Sequence, residues 1–158
     1  MSRTHHLDDS NVHYTWDNAI PPLLAIDPGD TVVFETRDSA DYEFSRLTKH
    51  ADLLRPPASA GLPLIGPVFV RGAEPGDALA VTIVAVRPRF DYGWTAIRPP
   101  HYGLLPHDEF PEPFLQIWDL ADPGVARMDT RVAIPTAPFP GQMGVAFDRH
   151  LGDVTGPF

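Results

Sequence analysis

Residues 63–88, PLIGPVFVRGAEPGDALAVTIVAVRP, constrain the fold more than any other stretch, because two apolar runs flank one polar turn, Gly72-Ala73-Glu74-Pro75-Gly76-Asp77. Pro75 presets φ for the second turn position, and Gly76 supplies the positive φ of the third. The chain therefore reverses here. Beyond the turn, Leu79, Val81, Ile83 and Ala85 share one face of a period-two strand, while Ala80, Val84 and Val86 make the other face nearly as apolar. A strand apolar on both faces belongs inside a sheet covered on both sides, so residues 79–86 are expected to be central and buried, with Ile83→Ala costing about 2–5 kcal/mol. The same device occurs earlier, as Asp27-Pro28-Gly29-Asp30 followed by TVVFETR. There Val32 and Phe34 face one way and Val33, Glu35 and Arg37 the other, which predicts a half-exposed strand.

The 19 prolines and 12 glycines are spread between apolar runs instead of forming a biased tract, which favours many short strands joined by turns. Further strands are predicted at 11–16, 90–97, 114–118 and 131–134, each bounded by Pro, Asp or Gly. Residues 44–54 carry a helical stripe of Phe44, Leu47, Ala51 and Leu54, stopped by Pro56-Pro57. The expected fold is all-β: one β-rich domain over 1–158, a sandwich or jelly-roll-like arrangement of short, mainly antiparallel strands with at most one short helix. A chain of this length ordinarily buries roughly 70% of its unfolded surface, so a core that holds itself is expected.

The formal net charge of −9 and the lack of a basic cluster argue against nucleic acid and anionic membrane as partners. Without cysteine there is neither a disulfide framework nor a thiolate nucleophile. No apolar leader opens the sequence and no run reaches the length of a membrane span, which gives a cytoplasmic expectation. A Gly-x-Ser-x-Gly elbow, a P-loop, a dinucleotide fingerprint and a His-Glu-x-x-His helix are all absent, so serine-triad and nucleotide-dependent chemistry find no support.

Two constellations carry possible chemistry. His13, Trp16, Asp17 and Asn18 lie around one strand end, where His13 or Asp17 could act as general base or metal ligand and Asn18 could donate to a carbonyl oxygen. The alternative is a strand closed by an Asx turn. His101, His107, Asp108 and Glu109 could bind zinc, but three of them are consecutive, which favours a solvated loop. His5-His6 with Asp8-Asp9 is weaker still, since terminal residues are usually mobile. The carboxylates of Asp30, Glu74 and Asp77 are expected to bond nearby backbone amides. Phe139-Pro140-Gly141-Gln142-Met143-Gly144 offers an aromatic wall, exposed amides and flexible backbone, as a pocket for a small neutral amide would need; rigid packing is the alternative.

Taken together, GPVFVRGAEPGD, DPGDTVVFETRD and PTAPFPGQMGVAF resemble the acetamidase/formamidase family of amide hydrolases. The resemblance extends over nearly the whole chain but about the first half of the family pattern; a Gly-Gly-Asn-Met-Asp-like segment and an acidic, His-containing segment are not found before Phe158. It implies hydrolysis of a small linear amide to a carboxylate and ammonia, assisted by a divalent metal such as zinc whose ligands lie in that second half. It also implies catalytic roles for His13, Asp17 and Asn18, with Trp16, Phe139, Pro140, Gly141 and Met143 against the substrate. The partner would be a second copy of the chain or a complementary C-terminal chain. The rival expectation is a non-catalytic β-module that binds a partner chain or a small ligand.

Overall fold

The computed structural model describes residues 2–58, 61–98, 105 and 108–148. Among these described residues ten short strands run in the order β1 Thr4–Leu7, β2 Val12–His13, β3 Leu24–Ile26, β4 Thr31–Phe34, β5 Leu64–Ile65, β6 Val68–Val70, β7 Tyr92–Ile97, β8 Phe114–Asp119, β9 Val125–Arg127 and β10 Ala133–Pro135. The described helical content is one 3-10 turn at His50–Leu54, inside the segment whose apolar stripe predicts a helix. The chain is thus all-β, with four antiparallel strand pairs and two parallel ones among the described residues. It forms two compact units, Met1–Asp41 with Ser59–Ala85 and Gly141–Pro157, and Tyr42–Ala58 with Val86–Pro140.

In the first unit the two Pro-Gly-Asp turns take the conformation their residues dictate. Gly29 and Gly76 have φ of 89° and 104°, and each turn closes with an amide-to-carbonyl bond, Asp30 N to Asp27 O at 3.1 Å and Asp77 N to Glu74 O at 3.0 Å. The turn aspartates also bond the backbone: Asp77 Oδ2 accepts from Glu74 N at 2.9 Å and Asp30 Oδ2 from Asp27 N at 3.2 Å. Strand β3 runs parallel to β6, Leu24 opposite Val68, so each turn follows one strand of the same pair.

The N-terminal segment from Arg3 to Leu7 is tied to β4. β1 lies parallel to β4 with Thr4 opposite Thr31, and Asp30 latches the pair, its Oδ1 accepting from Arg3 N at 2.8 Å and its Oδ2 meeting His5 Nε2 at 2.9 Å. The Arg3 amide and then the His5 ring hold the Asp30 carboxyl at about 2, down from 3.8. Because the folded value is depressed, the latch contributes fully above about pH 4 and is lost as the pH falls from there through about 2. A carbon-13 NMR titration of the Asp30 carboxyl is expected to show its midpoint near 2. A midpoint at the ordinary carboxylate value would mean that the latch does not form in solution.

The second unit holds the four-stranded sheet, in the order β10-β9-β8-β7. β7 and β8 pair along their full lengths, Tyr92 opposite Asp119 through Ile97 opposite Phe114. Phe44 and Leu53 are buried in this unit together with Leu115 of β8, and Phe44 meets Trp94 edge to face at 4.6 Å between centroids.

Residues 79–86 overturn the expectation of a central buried strand. They form no strand, and Leu79, Val81, Ile83 and Val84 are 48%, 59%, 49% and 80% exposed. The alternating pattern records a capacity to pair, but a strand exists only where a neighbour supplies the ladder. Among the described residues none hydrogen-bonds to this stretch through the backbone. The expected self-sufficient core is also thinner than the length predicts: among the described residues the buried apolar side chains are Ala40, Phe44, Leu53 and Leu115.

Candidate functional site

The first constellation lies in the first unit, where β2 is pinned by β5 with His13 opposite Leu64. After this two-residue strand the chain curls, and His13 Nδ1 lies 2.8 Å from the carbonyl oxygen of Thr15. A carbonyl can only accept, so Nδ1 carries the proton, and in the neutral ring the basic lone pair sits on Nε2. The local backbone thereby fixes the tautomer that a general base or a metal ligand requires.

Tyr14, the next residue, anchors the same segment. Its hydroxyl donates to Asp41 Oδ2 at 2.6 Å, and Arg37 Nη1 donates to Asp41 Oδ1 at 2.7 Å. Burial of Asp41 favours its neutral form, but the hydrogen bonds from Arg37 and Tyr14 and the Arg37 charge outweigh burial and hold its carboxyl below the ordinary value. Arg37 further bridges to the Asp9 carbonyl through Nε at 3.1 Å and Nη2 at 3.0 Å. Asp17 is buried, and its Oδ1 accepts from Ala19 N at 2.8 Å, closing an Asx turn.

Trp16 and Asn18 meet the late segment of the same unit. Asn18 N donates to Phe147 O at 3.1 Å, and the Trp16 ring stacks on Phe147 with 6.4 Å between centroids and 18° between planes. Gly144 is what permits the approach: a Cβ there would lie 3.1 Å from both Cη2 and Cζ3 of Trp16. Gly144→Ala therefore forces the indole to move and is expected to cost about 1–3 kcal/mol with a shift in tryptophan emission. Unchanged stability and emission would show that Trp16 is not seated on this glycine.

Of the residues expected at a site, the structure brings Trp16 and Asn18 to the segment that follows Gly141 and Met143, both of which are exposed. Phe139 and Pro140 belong to the second unit and are exposed there, Phe139 at 79%. Phe147 was not among the expected residues, although it closes the PTAPFPGQMGVAF run. The Tyr14-Asp41-Arg37 brace had no sequence signal, since its hydroxyl and carboxylate lie 27 residues apart. In the second constellation Asp108 and Glu109 occupy an exposed turn, while His101 and His107 lie outside the described residues. Among the described residues no three His, Asp or Glu side chains are grouped as a metal ion requires. No described helix is long and apolar enough to cross a membrane.

The all-β fold has counterparts among solved structures. The fold is similar to that of an acetamidase from Bacillus halodurans, with a TM-score of 0.64 at 19% identity over 82% of this chain and 42% of that one. An acetamidase from Yersinia enterocolitica matches with a TM-score of 0.60 at 27% identity, over 84% of this chain and 43% of that one. The Acetamidase/Formamidase family model matches residues 1–155, and the chain belongs to that family. A formamidase from Methylophilus methylotrophus is 29% identical over 114 residues, which are 70% of this chain and 28% of that protein. The chain thus spans less than half the length of these relatives.

Proposed function

We propose that this chain supplies part of an amide hydrolase that cleaves the carbon-nitrogen bond of a small linear amide, water adding to the carbonyl carbon and ammonia leaving. The observation that carries the reading is the family match over residues 1–155. His13 supports it locally, because its ring presents a basic Nε2 able to take a proton from the attacking water. Trp16 and Phe147 offer apolar faces against which a small neutral amide can rest, with Gly141 and Met143 on the approach.

The donors among the described residues do not fit a metal ion. In this reading a divalent metal would take its ligands from the part of the family fold that this chain does not match. A non-catalytic β-module is the second reading, favoured by the exposed apolar stretch at 79–86. Ammonia release from formamide and acetamide, with and without zinc, separates the two. Background release by the chain alone and turnover once the remaining part of the fold is co-expressed support the hydrolase. Background release in both cases supports the module.

A further inference from the structure

We propose that Tyr14 and Asp41 are positioning residues for His13: they hold the curl of residues 13–15 that keeps the His13 Nδ1 proton on the Thr15 carbonyl and leaves Nε2 basic. The proposal rests on the reading of His13 as the base, but the tautomer itself can be observed without amide turnover. Tyr14 is the residue between the ring and the carbonyl it bonds, so rotation of its backbone carries Thr15 O away from His13 Nδ1. A local bond of this kind does not hold itself, because ordering the backbone of one residue costs about as much as one neutral hydrogen bond returns. Strand pairing ends at His13, opposite Leu64, and past that point the Tyr14 side chain supplies the order.

The hydroxyl is set in a chain of charged groups that begins on a paired strand. β1 and β4 run together to Leu7 opposite Phe34, and Glu35 N donates to Leu7 O at 2.8 Å. Two residues further along each segment Arg37 takes over from the ladder, its Nε and Nη2 both donating to the Asp9 carbonyl and its Nη1 to Asp41 Oδ1. Asp41 Oδ2 then accepts from the Tyr14 hydroxyl at 2.6 Å, the short distance of a charge-assisted bond. Tyr14 is thereby tied through one carboxylate to a strand pair that does not include β2. Asp41 carries a second, independent mark of this role. Its φ is 52°, in the left-handed region that an L residue adopts at a cost, and both of its carboxylate oxygens are engaged. Asp41 N donates to Asp38 O at 3.0 Å and Ala40 N to Asp38 Oδ1 at 2.7 Å, closing the turn that holds this conformation. A strained residue with its side chain committed in two directions marks a place where geometry is kept at a cost in stability.

The test is nitrogen-15 NMR of the full chain labelled at its histidine rings, recorded above the pH at which the rings lose their charge, with the His13 signals assigned by their loss in His13→Gln. The expected wild-type spectrum shows a protonated Nδ1 and an unprotonated Nε2. Tyr14→Phe keeps the ring and removes the hydroxyl, and should lower the ratio of the Nδ1–H to the Nε2–H form about five- to tenfold, the weight of one hydrogen bond. Asp41→Ala should do the same, and Asp41→Asn, which still offers Tyr14 an acceptor, should recover part of the ratio. Asp77→Ala removes a side-chain bond to a backbone amide elsewhere in the same unit, and should lower the melting temperature without moving the ratio. An Nε2–H form in the wild type, a ratio unmoved by Tyr14→Phe, or an equal shift in Asp77→Ala overturns the proposal. A ratio that moves as expected while Tyr14→Phe leaves kcat unchanged in the assembled hydrolase would keep the brace and remove His13 as the base.

Discussion

Replacing Arg98 with alanine is expected to unfold the second unit, at a cost of about 3–5 kcal/mol. Arg98 is 9% exposed, and its guanidinium uses nearly every donor it has. Nη2 donates to Glu43 Oε1 at 2.8 Å and to the Arg55 carbonyl at 2.5 Å, Nη1 donates to Glu43 Oε2 at 3.3 Å, and Nε donates to the Leu53 carbonyl at 3.0 Å. The charge also lies 5.8 Å from the centre of the buried Phe44 ring. One side chain therefore ties the end of β7 to the start of the unit and to the end of the 3-10 turn. Truncation strands the Glu43 carboxylate and two carbonyls with little water to replace the lost donors. Lysine, a point charge without the fork, is expected to recover only part of the loss. Arg98→Met with Glu43→Gln should be milder than Arg98→Ala, because no buried charge is left alone. Urea denaturation followed by near-ultraviolet circular dichroism measures all three. A loss under about 1 kcal/mol for Arg98→Ala would place this ion pair among surface pairs.

What the sequence disclosed was local. Pro28-Gly29 and Pro75-Gly76 specify their turns because φ is set by proline on one side and freed by glycine on the other, and both turns form. Phe114–Asp119 and Tyr92–Ile97 were legible because each carries its own apolar alternation and bounding turn residues. Partners distant along the chain were not legible. The parallel pairing of β1 with β4 depends on Asp30 meeting Arg3 and His5, and a short polar N-terminal segment gives no periodic sign of it. The Arg98 staple joins residues 43 to 55 positions apart. Residues 79–86 failed in the opposite sense: the pattern for burial is present and the neighbours that would bury it are not among the described residues. At the site, His13, Trp16, Asp17 and Asn18 were visible as a cluster of chemically able residues. The Thr15 carbonyl that sets the His13 tautomer and the Gly144 seat of Trp16 needed the backbone path.

In the assembled hydrolase of the proposed function, His13→Ala is expected to lower kcat/KM for formamide by about 10²–10⁴, the usual contribution of a positioned general base. The reason is geometric. Nδ1 is committed to Thr15 O, so the ring can offer Nε2 to a water without first breaking an internal bond. The loss should fall mainly on kcat, since a base that meets the proton only in the transition state contributes little to substrate binding. Trp16→Ala, by contrast, removes a surface against which the substrate rests and should raise KM more than it lowers kcat. Two readouts separate a chemical role for His13 from a structural one. The loss should stay confined to kcat, and added imidazole should restore part of the rate without changing the melting temperature. A loss carried equally by KM, with no rescue by imidazole, would reduce His13 to a bracing residue of β2.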